Sequence, residues 1–162
     1  MTTSLVILGL LVSPCLALYA WATITGRPVN TRFGAALGLS VVFIFTGVGH
    51  FIRTEPMSEM LPPWVPNRVA LIYLTGLLEF VLAAGLLIPR LRRLAAWGCI
   101  SVLVLFFPAN IYAAFNKVGL GGHLWGPVYL LIRAPLQLIL IAWAYWLVAR
   151  REGRTASTGE QP

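Results

Sequence analysis

The stretch Gly34–Ile52 reads GAALGLSVVFIFTGVGHFI, and it is apolar throughout except at Ser40, Thr46 and His50. A helix needs about 20 predominantly apolar residues to cross the hydrocarbon core of a membrane. Backbone N–H and C=O groups in lipid have no water to bind, so a run of this kind satisfies them only as a helix. The stretch therefore predicts a membrane-spanning helix that carries an imidazole close to one of its ends.

The rest of the chain has the composition of a membrane protein. Of the 162 residues, 59% are hydrophobic and only 10% are charged, whereas a soluble domain carries about 25% charged residues. We expect an all-α membrane protein with one transmembrane domain over residues 1–149 and a disordered cytoplasmic tail over residues 150–162. The five membrane-spanning helices are expected at Leu5–Ile24, Gly34–Ile52, Val69–Ile88, Leu94–Phe115 and Val128–Val148.

The first of these runs, Leu5–Ile24, also has some features of a secretory signal peptide. Its residues Ala17 to Ala20 resemble a cleavage site, but the preceding MTTS contains no basic side chain, and a signal peptide begins with a positively charged region. We expect the run to be retained as a helix, with removal as the alternative.

The basic residues predict how the helices are oriented. Connecting segments on the cytoplasmic side of a membrane are enriched in Lys and Arg. If the five runs alternate in direction, one side carries Arg27, Arg32, Arg90, Arg92, Arg93, Arg150, Arg151 and Arg154. The other side carries Arg53, Arg68 and Lys117. We therefore expect the bacterial cytoplasmic (inner) membrane, with the N-terminus outside and the C-terminus inside, and no nucleic-acid partner for the net charge of +7.

Polar residues recur within four of the five runs, in their outer half or near the middle. An ionised side chain that faces lipid costs from about 3 to more than 10 kcal/mol, so such groups turn inward and pair. We predict that Glu79 and Arg133 face each other inside the bundle and that Gln137 and Asn110 satisfy their remaining hydrogen-bonding groups. The candidate ligand-binding residues are His50, Glu79, Asn110, Arg133 and Gln137.

Two other readings of these residues are open. A buried Glu–Arg pair can serve only to specify which helices pack together. On the outer segment, His50, Met57 and Met60 are soft ligands of the kind that bind Cu(I), although methionine is equally common as an interfacial hydrophobic residue. We expect no metal site, and we expect Cys15 and Cys99 to be apolar fillers because they form no Cys-x-x-Cys pair.

Small residues predict one close helix contact. Gly34 and Gly38 form a Gly-x-x-x-Gly motif, a spacing that lets two helix backbones approach closely. The partner is either another helix of the same bundle, which we expect, or a second copy of the chain.

Several segments between Gly34 and Trp146 form a recognisable set. They are GVGHF (Gly47–Phe51), MLPPWVP (Met60–Pro66), YLTGLLEFVLAAGLLIP (Tyr73–Pro89), RRLAAWG (Arg92–Gly98), FPANIYAAFN (Phe107–Asn116) and RAPLQ (Arg133–Gln137) with Trp143. This set resembles the DoxX-like family of small bacterial membrane proteins. The resemblance implies a four-helix transmembrane bundle of DoxX type, to which Leu5–Ile24 adds one extra N-terminal transmembrane helix. It also implies a link to quinone-coupled redox chemistry, although the chain lacks the cysteine pairs of the related MauE-like redox proteins.

Three functions are consistent with these features. The leading hypothesis is a bundle that binds a quinone-like or other lipophilic small molecule from the lipid bilayer and serves as the membrane partner of a redox enzyme. A membrane-embedded proton-transfer enzyme, such as an isomerase acting on a lipophilic substrate, is the second. The third is a non-catalytic assembly subunit in which the polar residues only hold helices together.

Overall fold

The computed structural model describes residues 2–119 and 122–149, and within those ranges the secondary structure is helical, without strands. The expected tail over residues 150–162 lies outside the described residues. In chain order the helices are α1 (Thr2–Thr25), α2 (Thr31–Ile52), α3 (Thr54–Ser58), α4 (Arg68–Leu87), α5 (Arg92–Phe115) and α6 (Leu130–Ala149), with a 3₁₀ segment (His123–Tyr129) directly before α6.

Five of these helices, all except the short α3, are long and apolar enough to cross a membrane. The fifth span joins the 3₁₀ segment to α6 and runs over His123–Ala149. The expectation of an all-α chain with five such helices is confirmed, and this is the pattern of a multi-pass membrane protein.

Four of the long helices pack in a closed ring. Helix α2 packs on α4, α4 on α5, α5 on α6, and α6 on α2, while α1 lies outside the ring against α2 and α6. The diagonal pairs of the ring, α2 with α5 and α4 with α6, make at most marginal contact through their described residues. This arrangement leaves a space in the centre of the helix ring, and side chains from the four helices line it.

The Gly-x-x-x-Gly motif packs α2 against α1 of the same chain. A Cβ atom added at Gly38 would overlap the carbonyl oxygen of Leu11, and one added at Gly34 would lie 3.3 Å from Sγ of Cys15. The absence of a side chain at these positions therefore lets the backbone of α1 lie directly on α2, as expected for packing within one bundle.

Glycines also bring α2 and α4 close together at the other end of α2. A Cβ atom added at Gly76 would lie 2.7 Å from Cβ of His50, and one added at Gly47 would lie 2.7 Å from the ring of Phe80. The rings of Phe51 and Phe80 stack beside this crossing with centroids 5.8 Å apart. The crossing holds His50 against α4.

The short helix α3 and the turns after it cover the end of the helix ring where His50 lies. Helix α3 and the turns that follow it are tied to α4 by Arg68, whose Nη1 donates to the carbonyl oxygens of Ser58 and Leu61 at 3.4 Å. Met57, Met60 and Leu61 of this segment lie at the cavity that the ring surrounds.

At the opposite end of the ring, arginines bind carbonyl groups in the last turns of two helices. Nε of Arg92 donates to the carbonyl oxygen of Leu86 at 2.9 Å, and Nη2 of Arg32 donates to that of Leu147 at 3.3 Å. Carbonyls in the last turn of a helix lack intrahelical donors and favour nearby positive charge. These arginines therefore stabilise the C-terminal ends of α4 and α6.

Candidate functional site

The helix ring encloses a cavity with a volume of about 420 Å³. Pockets that bind small molecules have volumes of about 300–1,000 Å³, and their walls are mostly apolar with a few polar groups. Apolar side chains from α2, α5 and α6 form much of the wall here, among them Val42, Phe43, Leu103, Phe106 and Leu140. The cavity therefore has the size and wall of a small-molecule site.

All five polar residues selected from the sequence line this one cavity. His50 comes from α2, Glu79 from α4, Asn110 from α5, and Arg133 and Gln137 from α6. Glu79 and Gln137 are each 4% exposed, and His50 and Asn110 are also buried. Four different helices thus bring polar groups to a single apolar chamber, and the binding role of these residues stays a prediction.

His50 and Glu79 form one polar contact across the α2–α4 crossing. Nε2 of the imidazole lies 3.6 Å from Oε1 of the carboxyl group. On the other side of the imidazole, Nδ1 lies 3.1 Å from the carbonyl oxygen of Ile72 and 3.1 Å from the hydroxyl oxygen of Thr75. The imidazole is therefore held by α4 on both sides.

These contacts restrict where protons sit in the His50–Glu79 pair. A carbonyl oxygen only accepts, so a bond to Ile72 requires a proton on Nδ1. The contact between Nε2 and Oε1 is then favourable when a further proton lies between the two atoms. If instead the hydroxyl of Thr75 donates to Nδ1, the ring's own proton is on Nε2 and faces Glu79. Any proton that Nε2 carries faces Oε1 of Glu79, at a distance of 3.6 Å that is longer than a hydrogen bond.

Asn110 and Arg133 form the second polar contact, between α5 and α6. Nε of Arg133 donates to Oδ1 of Asn110 at 3.2 Å. Nδ2 of Asn110 donates to the carbonyl oxygen of Phe106 at 2.9 Å. Because that carbonyl can only accept, the amide orientation of Asn110 is fixed, with its oxygen toward Arg133.

Glu79 and Arg133 both face the interior cavity, and Asn110 satisfies part of Arg133, as predicted. Among the described residues the two form no direct ion pair, because the carboxyl of Glu79 contacts His50 and the guanidinium of Arg133 contacts Asn110. The physical reason is the order of the helices around the ring. Glu79 lies on α4 and Arg133 on α6, which are diagonal, whereas α2 and α5 are their respective neighbours. Gln137 also has a different partner from the expected one, because its Nε2 donates to the carbonyl oxygen of Leu103.

Three buried polar atoms of these residues have no hydrogen-bond partner within residues 2–119 and 122–149. They are Oε2 of Glu79, Nη1 of Arg133 and Oε1 of Gln137. A buried polar atom without a partner is rare and costs about 1–3 kcal/mol. Three of them on residues that line one cavity indicate a site whose hydrogen bonding is incomplete in the protein alone.

Some cavity residues were not selected from the sequence. Thr75 is one of them, and its hydroxyl lies 3.1 Å from Nδ1 of His50. Leu71 and Leu105 line the cavity and are also exposed on the surface of the ring. Periodic apolar residues of this kind look alike in sequence whether they face lipid, a core or a cavity, so no sequence signal distinguishes them.

The residues considered for Cu(I) also line the cavity. His50, Met57 and Met60 all lie in its wall. Both ring nitrogens of His50 already have polar neighbours, as described above. In the part of the chain that the structure describes, no three His, Cys, Asp or Glu residues cluster in a way that could hold a metal ion.

The family model for a domain of unknown function, DUF8561, matches residues 39–148. That range contains nearly all of the helix ring and all five polar residues of the cavity, and it excludes α1. No curated protein and no solved structure matches the chain.

Proposed function

The chain belongs to the family described as Domain of unknown function (DUF8561), and we propose that it binds a quinone-like or other lipophilic small molecule inside the helix ring. In this role it serves as the membrane partner of a redox system. The observation that carries the proposal is that polar groups from four helices line one otherwise apolar cavity of about 420 Å³.

The pattern of polar contacts supports binding over a purely structural role. Charged residues that only fix helix packing are expected to neutralise each other, because an unpaired buried charge is costly. Here Glu79 and Arg133 line the same cavity without a direct bond, and each keeps one atom without a hydrogen-bond partner in the described residues. A ligand that reaches both would complete the site.

Two further features support a lipophilic ligand of the quinone type. Leu71 and Leu105 belong both to the cavity wall and to the exposed apolar surface of the ring, which favours access from the bilayer. The segments from Gly47–Phe51 to Arg133–Gln137 resemble the DoxX-like family, for which quinone-coupled chemistry and a four-helix bundle are the implied features.

Orientation is part of the same proposal. The side of the membrane with eight arginines is cytoplasmic, which puts the N-terminus outside and the cavity toward the outer leaflet of the bacterial inner membrane. A soluble redox enzyme is the proposed partner.

A proton-transfer enzyme is the second candidate, and the contact of His50 with Glu79 favours it. A carboxyl group whose Oε1 lies 3.6 Å from an imidazole nitrogen and whose Oε2 has no partner in the described chain is equipped to move a proton on a bound substrate. Replacing Glu79 by Gln separates the two candidates, because an acid–base role predicts lost turnover with binding retained.

The binding proposal is tested by small molecules that the protein retains. We expect mass spectrometry of gently purified protein to detect a co-purified quinone or related lipid. We also expect added menadione or a decyl-substituted benzoquinone to raise the thermal unfolding temperature.

A cavity-filling substitution supplies the matched control. Ala109→Phe places a ring at the cavity wall without removing a polar group, and we expect it to abolish the thermal shift. Ala142→Phe makes the same change at an exposed position of α6, and we expect it to leave the shift intact. No retained molecule and no shift with any quinone would leave the assembly-subunit hypothesis as the better account.

A further inference from the structure

We infer that the cavity binds the reduced, hydroxyl-bearing form of its ligand, a quinol, in preference to the quinone. The inference rests on the proposed function, since it names which member of a quinone-like pair the site selects. It rests on whether each of three buried polar atoms is a hydrogen-bond donor or acceptor. These atoms, which have no partner in the described chain, are Oε2 of Glu79, Oε1 of Gln137 and Nη1 of Arg133.

Gln137 presents an acceptor. Its Nε2 donates to the carbonyl oxygen of Leu103, and a flipped amide would place two oxygen atoms against each other there. The orientation of the amide is therefore fixed, and Oε1 is the atom left without a partner. The side chain is 4% exposed and lines the cavity, so a cavity ligand that bears a donor is its natural partner.

Glu79 also presents an acceptor. Its Oε1 lies 3.6 Å from Nε2 of His50, and its other oxygen, Oε2, has no partner in the described chain. In the ionised form of Glu79, both oxygens only accept. The unpartnered atom of the carboxylate is thus an acceptor.

Arg133 presents a donor. Its Nε is occupied by Oδ1 of Asn110, and Nη1 remains without a partner in the described chain. Arg133 precedes Gln137 by one helical turn, so the two side chains lie on the same face of α6. One ligand oxygen that both accepts and donates is suited to this pair.

The complementary ligand therefore brings two donors and at least one acceptor. A quinol has two hydroxyl groups, each of which donates one hydrogen bond and accepts others. One hydroxyl suits Glu79, and the second suits the Gln137–Arg133 pair. A quinone has only carbonyl acceptors, which satisfy Arg133 but set oxygen lone pairs against the two acceptors of the protein. A buried acceptor left without a donor is unfavourable, and this is the source of the discrimination.

Three probes built on the same substituted ring test the inference. They are a decyl-substituted benzoquinol kept reduced under anaerobic conditions, its quinone, and the dimethyl ether of the quinol, which has no hydroxyl donor. We expect the purified full-length protein to bind the quinol at least about tenfold more tightly than the quinone, and the ether no better than the quinone. Because a tenfold preference corresponds to about 30 mV for a two-electron couple, the midpoint potential of the bound couple should rise by at least that amount.

Variants locate the source of the preference. Gln137→Met removes the acceptor but keeps an unbranched side chain, and we expect it to reduce the quinol-to-quinone preference by about fivefold or more. Ser101→Ala removes a hydroxyl that lies exposed on α5 and bonds its own helix at Trp97, and we expect the preference to be unchanged.

The outcomes separate the inference from the proposed function. Quinone binding as tight as or tighter than quinol binding would overturn the inference and leave the binding function intact. Ether binding equal to quinol binding would do the same, because shape alone would then decide affinity. If none of the three probes binds, the proposed function fails and the inference fails with it.

Discussion

Nε2 of His50 on α2 lies 3.6 Å from Oε1 of Glu79 on α4, while Nδ1 of the same ring is 3.1 Å from the carbonyl oxygen of Ile72. One side chain therefore has two separable contacts with the neighbouring helix. The Nδ1 side joins α2 to the backbone of α4. The Nε2 side faces a carboxyl group in the cavity wall.

Two amide substitutions should separate these contacts. An asparagine amide reaches the position of Nδ1, and a glutamine amide reaches that of Nε2. We expect His50→Asn to keep the bond to Ile72, so that stability changes little, and to lower quinol affinity about tenfold. We expect His50→Gln to lose the Ile72 bond and about 1 kcal/mol of stability, while retaining more of the affinity.

Thermal unfolding without ligand and quinol titration provide the two measurements for these variants. Ser101→Ala serves as the control for both, because its hydroxyl faces away from the cavity. Equal losses of stability and affinity in His50→Asn and His50→Gln would contradict the division of roles.

Asn110 should stabilise the buried guanidinium of Arg133. Asn110→Leu keeps the approximate shape but removes the acceptor of the Nε bond of 3.2 Å. Hydrogen bonds to charged groups contribute about 1.5–3 kcal/mol, so we expect Asn110→Leu to lower the free energy of unfolding by about 2 kcal/mol. Asn110→Asp keeps an acceptor for Arg133 and loses only the donation to Phe106, so its loss should be smaller. Denaturant-induced unfolding in detergent measures both, and an Asn110→Asp variant less stable than Asn110→Leu would exclude this role.

The contact of α1 with α2 depends on Gly38. A Cβ atom there would overlap the carbonyl oxygen of Leu11, whereas a Cβ atom at Gly9 of α1 would meet nothing within 4 Å. We expect Gly38→Ala to destabilise the protein by about 1–3 kcal/mol, as overpacking does. Gly9→Ala should be neutral or slightly stabilising, because alanine favours helix by about 1 kcal/mol. Thermal unfolding of the two variants checks this, and equal unfolding temperatures would show that the helices separate without cost.

The sequence predicts those features of the fold that depend on one segment of the chain, and it does not predict those that depend on how several segments pack together. The runs that became α1, α2, α4, α5 and α6 are evident because each crosses the membrane with its own residues. The convergence of His50, Glu79, Asn110, Arg133 and Gln137 on one cavity follows from the cost of exposing such groups to lipid. Each helix, and the need of each polar side chain to face inward, can be read from one segment at a time.

Asn110 was predicted to bond the pair, but the direct partner of Glu79 and the partner of Gln137 could not be predicted in the same way. Glu79 contacts His50 because Gly47 and Gly76 let α2 cross α4 closely, and Arg133 contacts Asn110 because α6 packs on α5. The order of helices around the ring is a property of the whole chain, and hydropathy contains no information on it. The cavity is equally non-local, since its wall includes residues such as Leu105 that resemble any lipid-facing leucine.

In the proposed orientation, the end of the helix ring where His50 lies faces the exterior and the opposite end faces the cytoplasm. Glu59, after α3, and Leu91, between α4 and α5, are exposed at opposite ends of the ring. In a background of Cys15→Ser and Cys99→Ala, we expect Glu59→Cys to react with a membrane-impermeant maleimide in intact spheroplasts. Leu91→Cys should react only after the membrane is permeabilised, because the proposed orientation puts the end that carries Arg27, Arg90 and Arg93 on the cytoplasmic side. Neither substitution changes an arginine, so the charge asymmetry behind the prediction is preserved. The reverse labelling pattern would place the cavity toward the inner leaflet and its soluble partner in the cytoplasm.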